Sequence, residues 1–398
     1  MLHPTSLFSQ ILALISKHHF ARACHELRSD RYAKGFSSWD QFVAMLFCQL
    51  AQAKSLREIC DGLHCCLGKL NHLGIAKGPK RSTLSYANAH RPWQLYEATF
   101  YQLLERCRAV SKGKKRRFRF RNKLLSLDAT VIDLCLAMFP WATFRQTKGA
   151  VKLHLLLDHD GYLPTFVHLT TGKVHEITVA RRLPLPPGSI VVVDRGFTDY
   201  ALFYAWHTAK VWFVTRQKHN AAYQVVGSWP LPKHRHIIAD QLIRFTGETS
   251  RAACPVTLRR IVVWDPTKEE EIVLLTNHLT FGATTIAAIY KDRWEIEVFF
   301  RTLKQNLKVK TFVGTSDNAL RIQIWAALIA ILLVKYLQFS ARLAWSFSNL
   351  VALLHWNLFS YRHLWSWLND PFGVPPLPAA DQLLFPFLDS IRLETNHA

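Results

Sequence analysis

A mixed α/β protein with helical ends is the fold that the sequence predicts, on three observations. Four short segments between residues 124 and 193 are rich in β-branched and aliphatic residues and are broken by turn signals. More strand-like pieces follow between residues 211 and 276. Residues 5–107 before them, and about 285–368 after them, instead carry apolar residues at the mixed three and four spacing of helices.

The N-terminal stretch reads as a small helical domain, with Phe8, Ile11, Leu12 and Ile15 on one face and Phe42, Met45, Leu46 and Leu50 on another. Gly35, Gly68 and Gly78-Pro79 mark its loops. Residues 82–100 could serve as a recognition helix, although Pro92 must begin a new helix or kink the first. Residues 124–132, 151–157, 162–169 and 190–193 are the predicted core strands; Asp158-His-Asp-Gly161 turns the second into the third as a hairpin. Residues 174–183 have helical spacing, and 190–193 (IVVV) is a continuous apolar run of the kind covered on both faces. The pieces VWFVTR, QLIRFTGE, TLRRIVVWD and EEIVLLTN then form a β-rich insert. In the closing helical part Trp325, Trp345, Trp356, Trp365 and Trp367 are expected to fill helix contacts.

A chain of 398 residues implies two or three domains with a sizeable core. Fifty Lys+Arg against 28 Asp+Glu give a formal charge of +22, which favours a polyanion, nucleic acid first. The excess is densest in residues 112–123 (KGKKRRFRFRNK), where Lys114, Lys115, Arg116 and Arg117 are consecutive and Phe118 and Phe120 are interleaved with the basic residues that follow. That run is either a solvated linker or a DNA-contacting strand. Eight cysteines without a C-x-x-C pair, and no signal-peptide pattern, suit a reduced cytoplasm. Cys60, His64, Cys65 and Cys66 make an awkward zinc chelate because two of the cysteines are adjacent. The longest apolar run, residues 324–334, is too short for a bilayer and reads as a buried helix, so no membrane partner is expected.

Three acids attract attention. Asp194 ends the IVVV run, where α/β sheets place their ligands. Asp128 lies within a strand, on the face opposite Leu125 and Leu127, and a strand-interior acid asks for a partner or a metal. The third lies in residues 285–307, free of Gly and Pro and read as one helix of about six turns. On that helix Ile289, Ile296, Phe300, Leu303 and Leu307 share a buried stripe, and Tyr290, Arg293, Glu297, Arg301 and Lys304 share a second. One carboxylate among three cations and a phenol is either an ordinary ion-paired surface or a site for metal and phosphate. Glu176, Asp133, Asp158 and Asp199 are competing acids; His154, His168 and His175 are expected to be core or surface residues.

The segment Tyr290-Lys-Asp-Arg293-Trp-Glu-Ile-Glu297, with Lys304 seven residues on, resembles the Y-R-E-K signature of DDE insertion-sequence transposases of the insertion-sequence-four type. Asp128-Ala-Thr and Asp194-Arg-Gly-Phe stand upstream in the family's order, and the match covers roughly residues 120–315. The resemblance implies a ribonuclease-H-like mixed-sheet core in two parts, residues 111–208 and 285–340, interrupted by a β-rich insertion at 209–284. A helical basic DNA-binding domain at 1–110 and a helical region at 341–398 would flank it. It implies that Asp128, Asp194 and Glu297 are catalytic and hold two Mg²⁺ ions, with Mn²⁺ able to substitute. Tyr290, Arg293 and Lys304, joined by Arg301, would contact the transposon-end strand, and Trp264 of the insert would stack on a flipped base. Two ions about 3.5–4 Å apart activate a nucleophile and stabilise the leaving oxygen, and carboxylates suit so hard a cation. The implied partners are double-stranded DNA, as inverted-repeat ends and target, and further protomers in a synaptic assembly; the implied place is the cytoplasm, on the nucleoid. A nuclease that cuts without joining and a non-catalytic DNA-binding regulator are the rival readings.

Overall fold

The computed structural model describes residues 5–66, 68–112, 117–145, 148–233, 236–306 and 312–373. Lys114, Lys115 and Arg116 lie outside the described residues. The strands are β1 (Leu124–Leu134), β2 (Thr143–Arg145), β3 (Lys148–Asp158), β4 (Leu163–Thr171) and β5 (Ile190–Val193). They continue with β6 (Trp212–Arg216), β7 (Tyr223–Ser228), β8 (Ile237–Phe245), β9 (Leu258–Asp265) and β10 (Glu270–Thr276). All join one ten-stranded sheet in the order β2-β3-β1-β5-β6-β10-β9-β8-β7, with β4 also paired to β3.

The first half of this sheet is the ribonuclease-H-like arrangement. β4, β3 and β1 run antiparallel to their neighbours, and β5 and β6 then lie parallel on the other side of β1. Parallel neighbours need a crossover, supplied by the helices Glu176–Ala180 and Tyr200–Thr208. All four residues of β5 are buried: Val191 and Val193 join the core under one face, Ile190 and Val192 that under the other. The insert strands extend the same sheet, since β10 pairs antiparallel with β6 and β9, β8 and β7 follow outward. β7 was not expected from the sequence. It is an edge strand whose residues are all at least partly exposed, so no buried face marks its pattern.

Pro92 separates two helices, Arg81–His90 and Gln94–Ser111, as its missing N–H requires. The helix Asp317–Ser340 is long and apolar enough to cross a membrane, but 83% of its most apolar stretch is buried inside the fold. Trp325 on it packs edge-on against Phe100 of Gln94–Ser111, at 5.1 Å between ring centres. One apolar core thereby joins the N-terminal helices, this central helix, the C-terminal helices and part of β1, β3 and β4.

The expected single helix over residues 285–307 is instead two, Ala283–Asp292 and Trp294–Asn306, and Leu307 lies outside the described residues. At the junction the Arg293 N–H bonds to the Tyr290 carbonyl at 3.2 Å and the Ile296 N–H to the Arg293 carbonyl at 3.1 Å, both tighter i→i−3 contacts. The cause is Asp292, whose buried carboxylate is held by groups from elsewhere in the fold.

Candidate active site

Asp128 sits within β1, opposite Leu155 of β3, and accepts a hydrogen bond from the Ala129 N–H at 2.8 Å. The parallel register pairs Leu127 with Val193, so the next residue on each strand brings Asp128 beside Asp194. Asp194 precedes the short turn Arg195–Phe197 without capping it through its side chain, which leaves the carboxylate available. Burial pushes the Asp128 carboxyl up to about 6; Arg293 opposes the rise, and Asp194 and Glu176 add to it.

Glu297 enters from the helix Trp294–Asn306. Its Oε1 accepts from Arg293 Nη2 at 2.6 Å, while Arg293 Nη1 reaches Asp128 Oδ2 at 3.4 Å. One guanidinium therefore bridges acids contributed by a strand and a helix. Among the described residues no three His, Cys, Asp or Glu side chains are already grouped to hold a metal. The sequence led one to expect the three acids as one cage; instead Arg293 stands between two of them. The chemistry of the donors suits Mg²⁺, because all three groups are carboxylates, two of which, Asp128 and Glu297, already face one cation, Arg293.

The neighbouring residues divide clearly. Lys304 donates to the Val131 carbonyl at 2.8 Å and docks its helix on β1. The Tyr290 ring lies 5.8 Å from the Arg293 guanidinium, and burial raises its phenol above the ordinary range. Arg301 is exposed and points outward. Trp264 is partly exposed on β9, four strands from β1, about 19 Å at about 4.8 Å per strand. Arg117 is bound to buried Asp292 instead of facing outward alone. Phe118 stacks on Phe120 at 5.1 Å, and Phe120 packs on Phe281, so these rings serve the core margin.

Of the competing acids, Glu176 is near the site: its Oε2 lies 3.9 Å from where a Cβ on Gly196 would stand, and Lys152 pairs with it at 3.3 Å. Asp158 is paired with Lys123, Asp199 caps the helix Tyr200–Thr208, and Asp133 is exposed. His154 and His168 are core and sheet residues, and His175 caps Glu176–Ala180.

Sequence reasoning missed one constellation. Asp292 accepts from Arg117, from His159 Nδ1 at 2.6 Å and from the Tyr162 hydroxyl at 3.3 Å, and His159 Nε2 meets Ser126 Oγ at 2.7 Å. The chain Ser–His–Asp has the hydrogen-bond order of a nucleophile's triad. Ser126 is fully buried, however, so no substrate reaches it. Its effect is positional: it ties the residue before Arg293 to the strand that carries Asp128. Within the signature Asp292 is an unspecified position, so only the buried setting reveals it.

Residues 119–333 match the family model described as "Transposase DDE domain", over half of the chain. The chain belongs to the DDE transposase family. Residues 3–76 match a second model, described as a domain of unknown function. A putative transposase of Sinorhizobium fredii is 33% identical over 261 residues, 65% of this chain and 71% of the relative. A probable transposase for insertion sequence element IS5377 of Geobacillus stearothermophilus is 29% identical over 257 residues, 64% of this chain and 67% of that one. Among solved structures, the piggyBac transposase synaptic complex with hairpin DNA aligns at a TM-score of 0.44 and 12% identity, over 93% of this chain and 81% of that one. The DDE transposase reading matches the Y-R-E-K resemblance drawn from residues 290–304.

Proposed function

We propose that this transposase binds the inverted-repeat ends of its insertion sequence, cleaves them by metal-dependent phosphodiester hydrolysis and transfers the freed 3′-hydroxyls to target DNA. The observation that supports the reading is that Asp128 of β1 and Glu297 of the helix Trp294–Asn306 meet on one guanidinium, that of Arg293, while Asp194 follows β5, the parallel neighbour of β1. Asp128, Asp194 and Glu297 would hold a pair of Mg²⁺ ions. Such a pair, when bound, lowers the pKa of an attacking water and takes up charge on the leaving oxygen.

The remaining work belongs to side chains of this protein. Arg293 presents its fork between the acids, and its buried Nε has no acceptor among the described residues, so a phosphate oxygen would complete its hydrogen bonding. Tyr290, beside the Arg293 guanidinium, and Lys304, held to the Val131 carbonyl of β1, would orient the end strand. Helices to either side bury the strands that bear the acids and restrict water around them. Self-association of protomers on paired ends, a hairpin at the element end and action on the nucleoid in the cytoplasm belong to this proposal too.

The test is Asp194→Asn. Metal-dependent cleavage of end DNA should fall by at least about a thousandfold, with end binding largely kept; cleavage undiminished at ordinary Mg²⁺ would overturn the assignment. A pre-cleaved end offered to the wild-type protein separates transposition from simple hydrolysis, because a nuclease yields no joined product.

A further inference from the structure

A second charged feature lies on the same side of β1 as Asp128. Ser126 and Asp128 are two residues apart and so share a face. Ser126 leads through His159 into a cavity of about 890 Å³. The cavity is walled by the end of the helix Gln94–Ser111, the β3–β4 turn and the last turns of the helix Asp317–Ser340.

Five cations line it: Arg108, Lys112, Arg117, Lys123 and Lys335. Its acids are already engaged, for Lys123 holds Asp158 at 2.5 Å and Asp160 at 3.4 Å. Arg117 is held by Asp292 and Arg108 by Glu105. Lys112 and Lys335 have no carboxylate within ion-pair distance among the described residues. Among the described residues Lys335 Nζ hydrogen-bonds only the Gly161 carbonyl, at 3.4 Å, and it lies 5.9 Å from the ring centres of both Tyr162 and Phe339. Burial lowers its ammonium to about 8, with Glu295 and Cys107 acting the other way. A desolvated ammonium without a counter-ion is unfavourable. In a cavity with surplus positive charge, an incoming anion removes the penalty.

We propose that this cavity is a phosphate site, with Lys112 and Lys335 as its principal cations, and that it takes a backbone phosphate of the DNA strand engaged at the carboxylates. A phosphate fits because it is compact, multiply charged and accepts from several donors at once. DNA is the source favoured by position. Lys123, on the cavity wall, directly precedes β1, and Leu124 to Asp128 spans about 13 Å of strand, a distance that one bound strand covers. Arg117 links the two places, since it lines the cavity and holds Asp292, the residue before Arg293. The source, though not the anion site, rests on the function proposed above.

Two measurements on the full-length protein test it. In the first, thermal unfolding is followed with inorganic phosphate against sodium chloride at equal ionic strength. The wild type should show a saturable rise in Tm that Lys335→Gln loses; equal responses in wild type and variant would overturn the anion site. In the second, end-DNA affinity is measured from about 50 to 200 mM salt, and the slope of log K against log salt should fall by about one in Lys335→Gln. An unchanged slope with phosphate protection lost would overturn DNA as the source and leave free phosphate. Lys112→Gln, at the cavity rim, gives the same readings should Lys335→Gln fail to fold. A protein that shows phosphate protection but never binds end DNA would refute the proposed function and not this site.

Discussion

Arg293 holds together two carboxylates whose like charges would otherwise drive them apart, and it does so from a partly buried position. Its pairing helps neighbouring acids fold before any cation arrives: the guanidinium offsets part of the rise that burial first, and then Asp194 and Glu176, impose on the Asp128 carboxyl. The histidines of the core behave in the opposite sense. His154 is almost wholly buried on β3 with Nε2 at 2.9 Å from Thr170 Oγ1, and burial lowers its imidazole to about 4. An unfolded histidine titrates near 6.5, so between those values the folded chain binds fewer protons than the unfolded one. The associated stability is complete above about pH 6.5 and is lost as pH falls through about 4, on the order of 3 kcal/mol for this residue. His154→Gln should flatten that part of the decline. Urea midpoints at pH 7 and pH 4.5 measure it, and an undiminished decline would show that His154 is not its source.

At the level of elements, the break between Ala283–Asp292 and Trp294–Asn306 decides how Arg293 and Glu297 face β1. The break rests on Asp292, which is fully buried and satisfied by Arg117, His159 and Tyr162. Asp292→Ala leaves those groups facing no anion and should cost about 3 kcal/mol, the low end for a broken buried pair because Arg117 is half-exposed. Asp292→Asn should recover part of that. Urea unfolding gives the stability loss, and a loss below about 0.5 kcal/mol would mean that the network does not hold the break. The core strands were legible in the sequence because β-branched runs and the Asp158-His-Asp-Gly161 turn are local signals. The positions of Asp128 and Asp194 were legible for the same reason, each being an acid set against an apolar run. The helix break was not, because its cause lies in partners up to 175 residues away in the chain. Nor was the merging of the insert strands with the core sheet, since the β6–β10 register is a long-range pairing that no single segment announces.

For the molecule as a whole, the core joins parts that the sequence presents as separate. The Leu7 and Phe8 N–H groups donate to the Ser360 and Leu358 carbonyls, at 3.0 and 2.8 Å, so the first helix is tied to the C-terminal region. Gln10 reinforces this, donating to the Arg362 carbonyl at 2.8 Å and accepting from the Leu364 N–H at 2.8 Å. Between these ends runs the helix Asp317–Ser340, whose Trp325 and Leu332 meet Phe100 and Cys107 of the helix Gln94–Ser111. If residues 5–112 were removed, much of that central helix would be stripped of its cover, leaving an apolar face of the kind that aggregates. The full-length chain should therefore unfold in one calorimetric transition, with the N-terminal helices and the sheet melting together. A fragment of residues 117–373 should bind a hydrophobic dye strongly and lack a sharp transition. Two resolved transitions in the intact chain, or a fragment with native near-ultraviolet dichroism, would show instead that the N-terminal helices are an independent module. A single transition would mean that the N-terminal helices and the sheet that carries the acids fold as one cooperative unit.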